Sequence, residues 1–196
     1  MYPVNEIFHS LQGEGFHSGT PAVFVRFSGC NLRCHFCDTD HREKRMLTAE
    51  QIVAEVLALP SSPLLVLTGG EPSLFIDEAL VTLLKHDTGM MVAVETNGTR
   101  PLLTAVDWVT LSPKDAFEGG DAEPCLLRTC DELKVVYTGQ DLARYDHIQA
   151  HHRFLQPCYS PIPDLCEQNL RACVQAVTDH PQWRLSLQIH RILGLP

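Results

Sequence analysis

The chain reads as an α/β fold, an incomplete β/α barrel of about six or seven mostly parallel strands. Three observations predict it. Short β-branched and apolar segments alternate with segments of helical periodicity along the whole chain. Four of the strand segments stop at a polar or glycine-rich motif, and parallel sheets bind ligands at the carboxyl ends of their strands. The length is 196 residues, whereas a closed eightfold barrel takes about 250. The expectation is therefore one domain, 1–196, whose barrel stays open at one side.

The elements follow in order. Ala22–Ser28 is a strand, and a cysteine-bearing loop runs from Gly29 to about Arg45. Thr48 and Gln51 have capping-box spacing, and Ile52, Val53, Val56 and Leu57 make a helical stripe that Pro60 ends. Leu64–Leu67 is a continuously apolar strand of the kind buried on both faces, broken by Thr68-Gly69-Gly70-Glu71-Pro72. Ile76–His86 is helical in pattern. Met91–Glu95 is a strand ending at Thr96-Asn97-Gly98, and Trp108–Leu111 another, ending at Ser112-Pro113-Lys114. Asp115–Pro124 reads as loop. Leu133–Tyr137 is a strand, Leu142–Ala150 a helix, Phe154–Gln156 a short strand, and Arg184–Ile189 the last strand. Asp164 and Glu167 are placed to cap a helix running to about Asp179, with Cys166, Leu170, Cys173, Val174 and Val177 as its core-facing stripe.

Composition excludes several classes. No apolar run nears the ~18–20 residues of a membrane span; the longest are Leu64–Leu67 and Met90–Val94. The first residues lack the basic and apolar segments of a signal peptide, which points to the cytosol, where thiols stay reduced. The net charge of −9 argues against a nucleic-acid surface, whose affinity rests on neutralising phosphates. It leaves room for a small anionic substrate held by a few internal cations. The eight cysteines are then metal ligands, catalytic groups or packing residues rather than disulfides.

Three of them, Cys30, Cys34 and Cys37, fall in one loop as C-x-x-x-C-x-x-C. Three thiols so spaced can ligate three irons of a cubane cluster. Zinc is the alternative, with His35 or His41 as fourth ligand. Gly69 and Gly70 after a buried strand let backbone approach a ligand closely. Arg26 interrupts an apolar strand on the same face as Phe24. A buried lone charge is costly, so Arg26 calls for an ion pair or a ligand carboxylate, which guanidinium binds bidentately.

The cysteine spacing, with Gly-Gly-Glu-Pro about thirty residues later, resembles the radical S-adenosylmethionine superfamily. A closer match rests on Leu11-Gln12-Gly13-Glu14-Gly15, Arg26-Phe27, Gly29-Cys30-Asn31-Leu32, Cys37-Asp38-Thr39, Thr68–Pro72, Glu95–Thr99, Ser112–Lys114, Asp131–Lys134 and Trp183–Ser186. These are similar, in order from residue 2 to 196, to the 7-carboxy-7-deazaguanine synthases. The resemblance implies a carbon–nitrogen lyase with a radical SAM partial barrel. It would turn 6-carboxy-5,6,7,8-tetrahydropterin into 7-carboxy-7-deazaguanine with loss of ammonia, on the route to queuosine-type deazapurines. A [4Fe-4S] cluster on Cys30, Cys34 and Cys37 leaves one iron for S-adenosylmethionine (SAM), whose reductive cleavage yields a radical that takes hydrogen from C6. Thr39 would bind Mg2+. Leu11, Gln12, Gly13, Glu14, Arg26, Thr68, His190 and Pro196 would contact the pterin, with the chain's terminal carboxylate at Pro196 reaching the substrate. Phe36, Cys37, Asp38, Gly70, Glu71, Glu95, Asn97, Ser112, Pro113, Lys114, Gln156, Pro157, Cys158 and Tyr159 would contact SAM. The resemblance also implies a homodimer and an external reductant such as flavodoxin or ferredoxin.

The chain departs from the family pattern at Gln188-Ile189-His190-Arg191, where Gln-Thr-His-Lys is usual, and in the variable stretch Gln156–Tyr159. Two competing functions are a glycyl-radical-enzyme activase, which shares the cysteine motif but takes a protein substrate, and a zinc-stabilised binding module. Cys125, Cys130, Cys158, Cys166 and Cys173 are read as packing residues.

Overall fold

In the computed structural model, residues 1–37, 44–102, 105–114 and 123–195 are described. Their strands are β1 (Tyr2–Leu11), β2 (Pro21–Phe27), β3 (Arg45–Leu47), β4 (Leu64–Gly69), β5 (Met91–Thr96), β6 (Trp108–Leu111), β7 (Thr129–Tyr137), β8 (Gln149–Pro157) and β9 (Arg184–Leu185). The helices are α1 (Ala49–Leu57), α2 (Glu78–Thr88), α3 (Pro163–Asp179) and α4 (Ile189–Leu193), with 3-10 turns at Pro72–Leu74 and Leu142–Tyr145. All nine strands lie in one sheet, ordered β3-β1-β2-β4-β5-β6-β7-β8-β9. From β2 to β9 every pairing is parallel; β1 is antiparallel to both β2 and β3. The order is linear, with β3 and β9 at its edges, so the barrel is open as the length required.

Side-chain alternation splits the sheet into two faces. Val23, Val25, Phe27, Leu65, Leu67, Val92 and Val94 pack with Ile52, Val53 and Val56 of α1 and Leu80, Val81 and Leu84 of α2. Leu133, Val135 and Leu155 pack with Cys173 and Ala176 of α3. The opposite face carries Ala22, Phe24, Leu64, Val66 and Ala93 as a smaller apolar floor. α1 begins as its sequence requires: Thr48 accepts from Gln51 N while the Gln51 side chain accepts from Thr48 N.

Several expectations are corrected. Tyr2–Leu11, given no element in the sequence analysis, is β1, which pairs with β2 along most of its length. The predicted helix Leu142–Ala150 is a single 3-10 turn followed by the start of β8. Its apolar residues Leu142, Tyr145 and Ile148 are buried at a spacing of three, which suits a 3-10 turn and not a longer α-helix. α3 begins at Pro163, so Asp164 lies inside its first turn, and the N-cap Ile162 makes no side-chain bond. Its core face is Cys173 and Ala176, with Val177 packed beside them; Leu170 and Val174 are exposed. The last strand stops at Leu185, and Ile189 opens α4 instead.

Candidate active site

The strand ends and the face opposite the helices form a cavity of about 610 Å³. Alternation puts Arg26 two residues beyond Phe24, Thr68 beyond Val66, Glu95 beyond Ala93, and Gln156 beyond Phe154. On β7, Glu132 and Lys134 occupy the same face. Arg26 pairs with Thr68 across β2 and β4, and Glu95 with Thr110 and Thr110 with Glu132 across β5, β6 and β7. The apolar floor thus turns polar toward the carboxyl ends.

One end of the cavity holds Cys30, Cys34, Cys37, Leu32 and Phe36. The loop that carries them is fixed by its neighbours. Asn31 Nδ2 donates to Thr99 Oγ1 at 2.8 Å, and Asn97 Nδ2 donates to Asn31 Oδ1 at 3.1 Å. Glu71 N donates to Gly29 O at 2.9 Å. A Cβ on Gly70 would lie 1.9 Å from Gly29 O, so glycine is needed where the two segments touch. Glu71 itself is buried. It accepts from Ser73 N, Ser73 Oγ, Thr96 Oγ1 and Asn97 N, which ties β4 to β5. Burial raises the Cys30 and Cys34 thiols above the ordinary cysteine value; coordination to iron is what deprotonates such thiols. Leu32 N points at Cys30 Sγ, 3.4 Å away, and hydrogen bonds of this kind tune cluster sulfurs. Among the described residues no three His, Cys, Asp or Glu side chains converge as a site for a metal ion. The three thiols border one cavity on a glycine-packed loop, and His41, one of the two candidate fourth zinc ligands, lies outside the described residues. Lys114 donates to Ser112 O and Oγ, and burial holds its ammonium below the ordinary lysine range.

The other end is a buried polar network. Glu14 Oε1 accepts from Gln156 Nε2 at 3.1 Å and Gln188 Nε2 at 2.9 Å, and its Oε2 from Lys134 Nζ at 2.5 Å. Glu95 accepts from Lys134 Nζ and Gln12 Nε2, both at 3.2 Å, and from Thr68 Oγ1 at 2.9 Å. Burial pushes the Glu14 carboxyl up, but the Lys134 ammonium and its hydrogen bond, with Gln188, outweigh that and leave it below the ordinary glutamate range. Burial pulls Lys134 down, and the carboxylates of Glu14, Glu95 and Glu132 more than reverse this. Glu132 is raised, burial outweighing Lys134. The Leu11–Gly15 segment is held from below: Phe16 N donates to Glu132 Oε2 and Gly15 N to Ser186 Oγ. Gly15 has φ 65°, and a Cβ there would meet Glu132 Oε1 at 1.9 Å. The tail returns to it through Ile189 N to Gly13 O at 3.0 Å, which brings His190 and Arg191 to the rim. Arg26 lies over Phe8, which stacks on Phe24, and its Nε donates to Glu6 Oε1 at 2.7 Å.

Most residues singled out in the sequence meet here. Leu11, Gln12, Gly13, Glu14, Arg26, Thr68, His190, Phe36, Cys37, Gly70, Glu71, Glu95, Asn97, Ser112, Lys114, Gln156, Pro157 and Tyr159 all line the cavity. Pro113 and Cys158 are not among its lining residues; the Cys158 thiol is buried and directed at Tyr159 O. Asp38, Thr39 and Pro196 lie outside the described residues. Sequence reasoning gave no role to Lys134, Glu132 or Glu6. A charged residue inside an apolar strand, the signal used for Arg26, marks Lys134 equally.

Comparison with known proteins agrees with this geometry. Residues 24–120 match the Radical SAM superfamily. A 7-carboxy-7-deazaguanine synthase of Bacteroides thetaiotaomicron is 50% identical over 195 residues, covering 100% of this chain and 99% of that protein. One of Burkholderia multivorans is 39% identical, covering 100% and 99%. The crystal structure of QueE from Escherichia coli superposes with a TM-score of 0.75 at 27% identity, covering 96% of this chain and 94% of that one. With half of its residues shared end to end with such a relative, the chain belongs to the 7-carboxy-7-deazaguanine synthase family of radical SAM enzymes.

Proposed function

We propose that the chain converts 6-carboxy-5,6,7,8-tetrahydropterin to 7-carboxy-7-deazaguanine and ammonia in this cavity, with a [4Fe-4S] cluster, SAM and Mg2+. Family membership makes it a radical SAM lyase of 7-deazaguanine biosynthesis and sets aside the glycyl-radical activase. The observation that carries the substrate reading is the cavity itself. It joins the three-cysteine loop at one end to Arg26 and the Glu14–Lys134–Glu95 network at the other.

Cys30, Cys34 and Cys37 would hold the cluster, which with SAM would supply one-electron reduction and hydrogen-atom abstraction. The chain's own residues supply position. Arg26, its Nε held by Glu6, presents a guanidinium to the substrate carboxylate. Glu14 and Glu95, acceptors only when ionised, meet the N–H donors of the aminopyrimidinone ring. Glu95 was matched above to SAM, but its bonds to Thr68, Gln12 and Lys134 support the pterin side. Glu71 and Asn97 spend their side chains on the protein, so backbone at Gly69–Glu71 faces SAM, with Phe36, Ser112, Lys114, Gln156, Pro157 and Tyr159 around it. Thr39 would bind Mg2+, and Pro196 and His190 would contact the substrate. A homodimer, a flavodoxin or ferredoxin reductant and a cytoplasmic setting belong to the same proposal. Among the described residues no helix is long and apolar enough to cross a membrane.

The test is anaerobic incubation of reconstituted protein with the carboxytetrahydropterin, SAM, Mg2+ and dithionite, followed by mass spectrometry. Ring-contracted product is expected. Its absence, with about four irons per chain in place, overturns the reading.

A further inference from the structure

Lys134 is the most deeply placed cation of the polar network. Its side chain is 7% exposed, on a β7 position flanked by the core residues Leu133 and Val135. It bridges two carboxylates from distant parts of the chain, Glu14 before β2 and Glu95 on β5. Gln156 and Gln188 hold the other oxygen of Glu14, and Thr68 that of Glu95. Resting on the pterin reading above, we propose that Lys134 is a positioning residue that holds Glu14 and Glu95 as a spaced pair of acceptors for the N–H edge of the bicyclic substrate.

The physical need is plain. Two carboxylates in a desolvated pocket repel each other, and without a cation one of them takes a proton. A protonated carboxyl becomes a donor on one oxygen and clashes with an N–H edge. Amide partners such as Gln12, Gln156 and Gln188 orient carboxylates but do not compensate their charge. A lysine ammonium is compact, carries three donors and can serve two acceptors at once. The charged groups that face this pair are Glu132 on the same strand face, Lys114 after β6 and His190 on α4. Glu132 adds to the demand on Lys134, and burial holds its own carboxyl above the ordinary glutamate range.

The test uses the full chain with its cluster reconstituted, and two probes. The first is 6-carboxypterin, the fluorescent oxidised analogue of the substrate, titrated by fluorescence between pH 5 and 9. The second is SAM, followed by equilibrium dialysis. Lys134→Met should weaken 6-carboxypterin binding about 100-fold and move the acid limb of its binding curve up by about one pH unit or more. Lys134→Arg keeps the charge and should recover most of the binding and the original limb. Iron content and SAM affinity should stay at the wild-type level in both. If Lys134→Met does not fold, the paired variant Glu14→Gln with Lys134→Met removes both charges together; Glu95, still facing the buried Glu132 carboxylate and without the cation, should show the raised limb. Wild-type pH dependence in either folded neutral variant overturns the proposal, as does equal weakening of SAM and pterin binding. Wild-type protein that fails to bind 6-carboxypterin overturns the substrate reading and this inference with it.

Discussion

Arg26→Ala isolates the proposed substrate carboxylate contact. The guanidinium has 25% of its side chain exposed and shares Nε with Glu6, itself 48% exposed. Two charge-assisted hydrogen bonds to a ligand carboxylate contribute about 1.5–3 kcal/mol each. Water reaches part of this site and recovers some of the loss, so the net cost is about 2–4 kcal/mol, or about 30- to 700-fold in affinity. Exposed ion pairs add about 0–1 kcal/mol to stability, so Arg26→Ala should melt close to wild type and keep its iron. The assay is fluorescence titration with 6-carboxypterin and with pterin lacking the carboxylate. Wild type should prefer the carboxylated ligand by the factor above, and Arg26→Ala should bind both alike. Lysine at this position should recover part of the preference, because it offers the charge without the bidentate fork. A variant that keeps the preference shows that another group reads the carboxylate and refutes the argument. Loss of iron would show that Arg26 supports the fold.

Four further outcomes follow from the same geometry. Glu71→Ala strands four donors, of which Thr96 Oγ1 and Asn97 N are buried, and should cost about 3–5 kcal/mol in chemical denaturation of the apoprotein. Gly70→Ala forces a methyl group into Gly29 O and should lower cluster retention, read as iron per chain. Thr48→Ala removes the α1 cap far from the cavity, costing about 1 kcal/mol with turnover unchanged. The pH dependence has two limbs. Glu14, lowered on folding, stabilises the protein above the ordinary glutamate value of 4.5 and loses this as pH falls toward its folded value. Lys134, raised on folding, stabilises below the ordinary lysine value of 10.5 and loses this as pH rises through its folded value. Urea midpoints of wild type across that range should show the acid limb, and Lys134→Met should flatten it.

How much of this was legible beforehand depends on the kind of interaction. Local signals were reliable. The Thr48–Gln51 box, the apolar run Leu64–Leu67 and the Trp108–Leu111 strand all stand where expected, because capping and strand burial are decided within a few residues. The failures are tertiary. β1 has mixed side chains, since one of its faces borders the cavity, and it is a strand because β2 and β3 pair with it. Leu170 and Val174 fit a helical stripe, but which stripe faces the core is settled by where β8 and β9 lie. Arg184–Ile189 looked continuous, yet Ser186 turns away to meet Gly15 and Gln156.

The candidate site shows the same division in sharper form. Along β2, β4, β5 and β8 the residues on one face go from apolar to polar toward the carboxyl end: Phe24 then Arg26, Val66 then Thr68, Ala93 then Glu95, Phe154 then Gln156. Period-two alternation makes each of these pairs share a face, so a sequence alone places four polar groups in the mouth of the barrel. What it does not give is the strand order that sets Lys134 between Glu14 and Glu95, or the return of α4 onto Gly13. Lys134 lies 120 positions from Glu14 and 39 from Glu95, and nothing local encodes the contacts that join them. The charge arithmetic does constrain them: two carboxylates aimed into one desolvated mouth require a cation on the same face of a neighbouring strand, and in β6–β8 only β7 offers one at that depth, at Lys134.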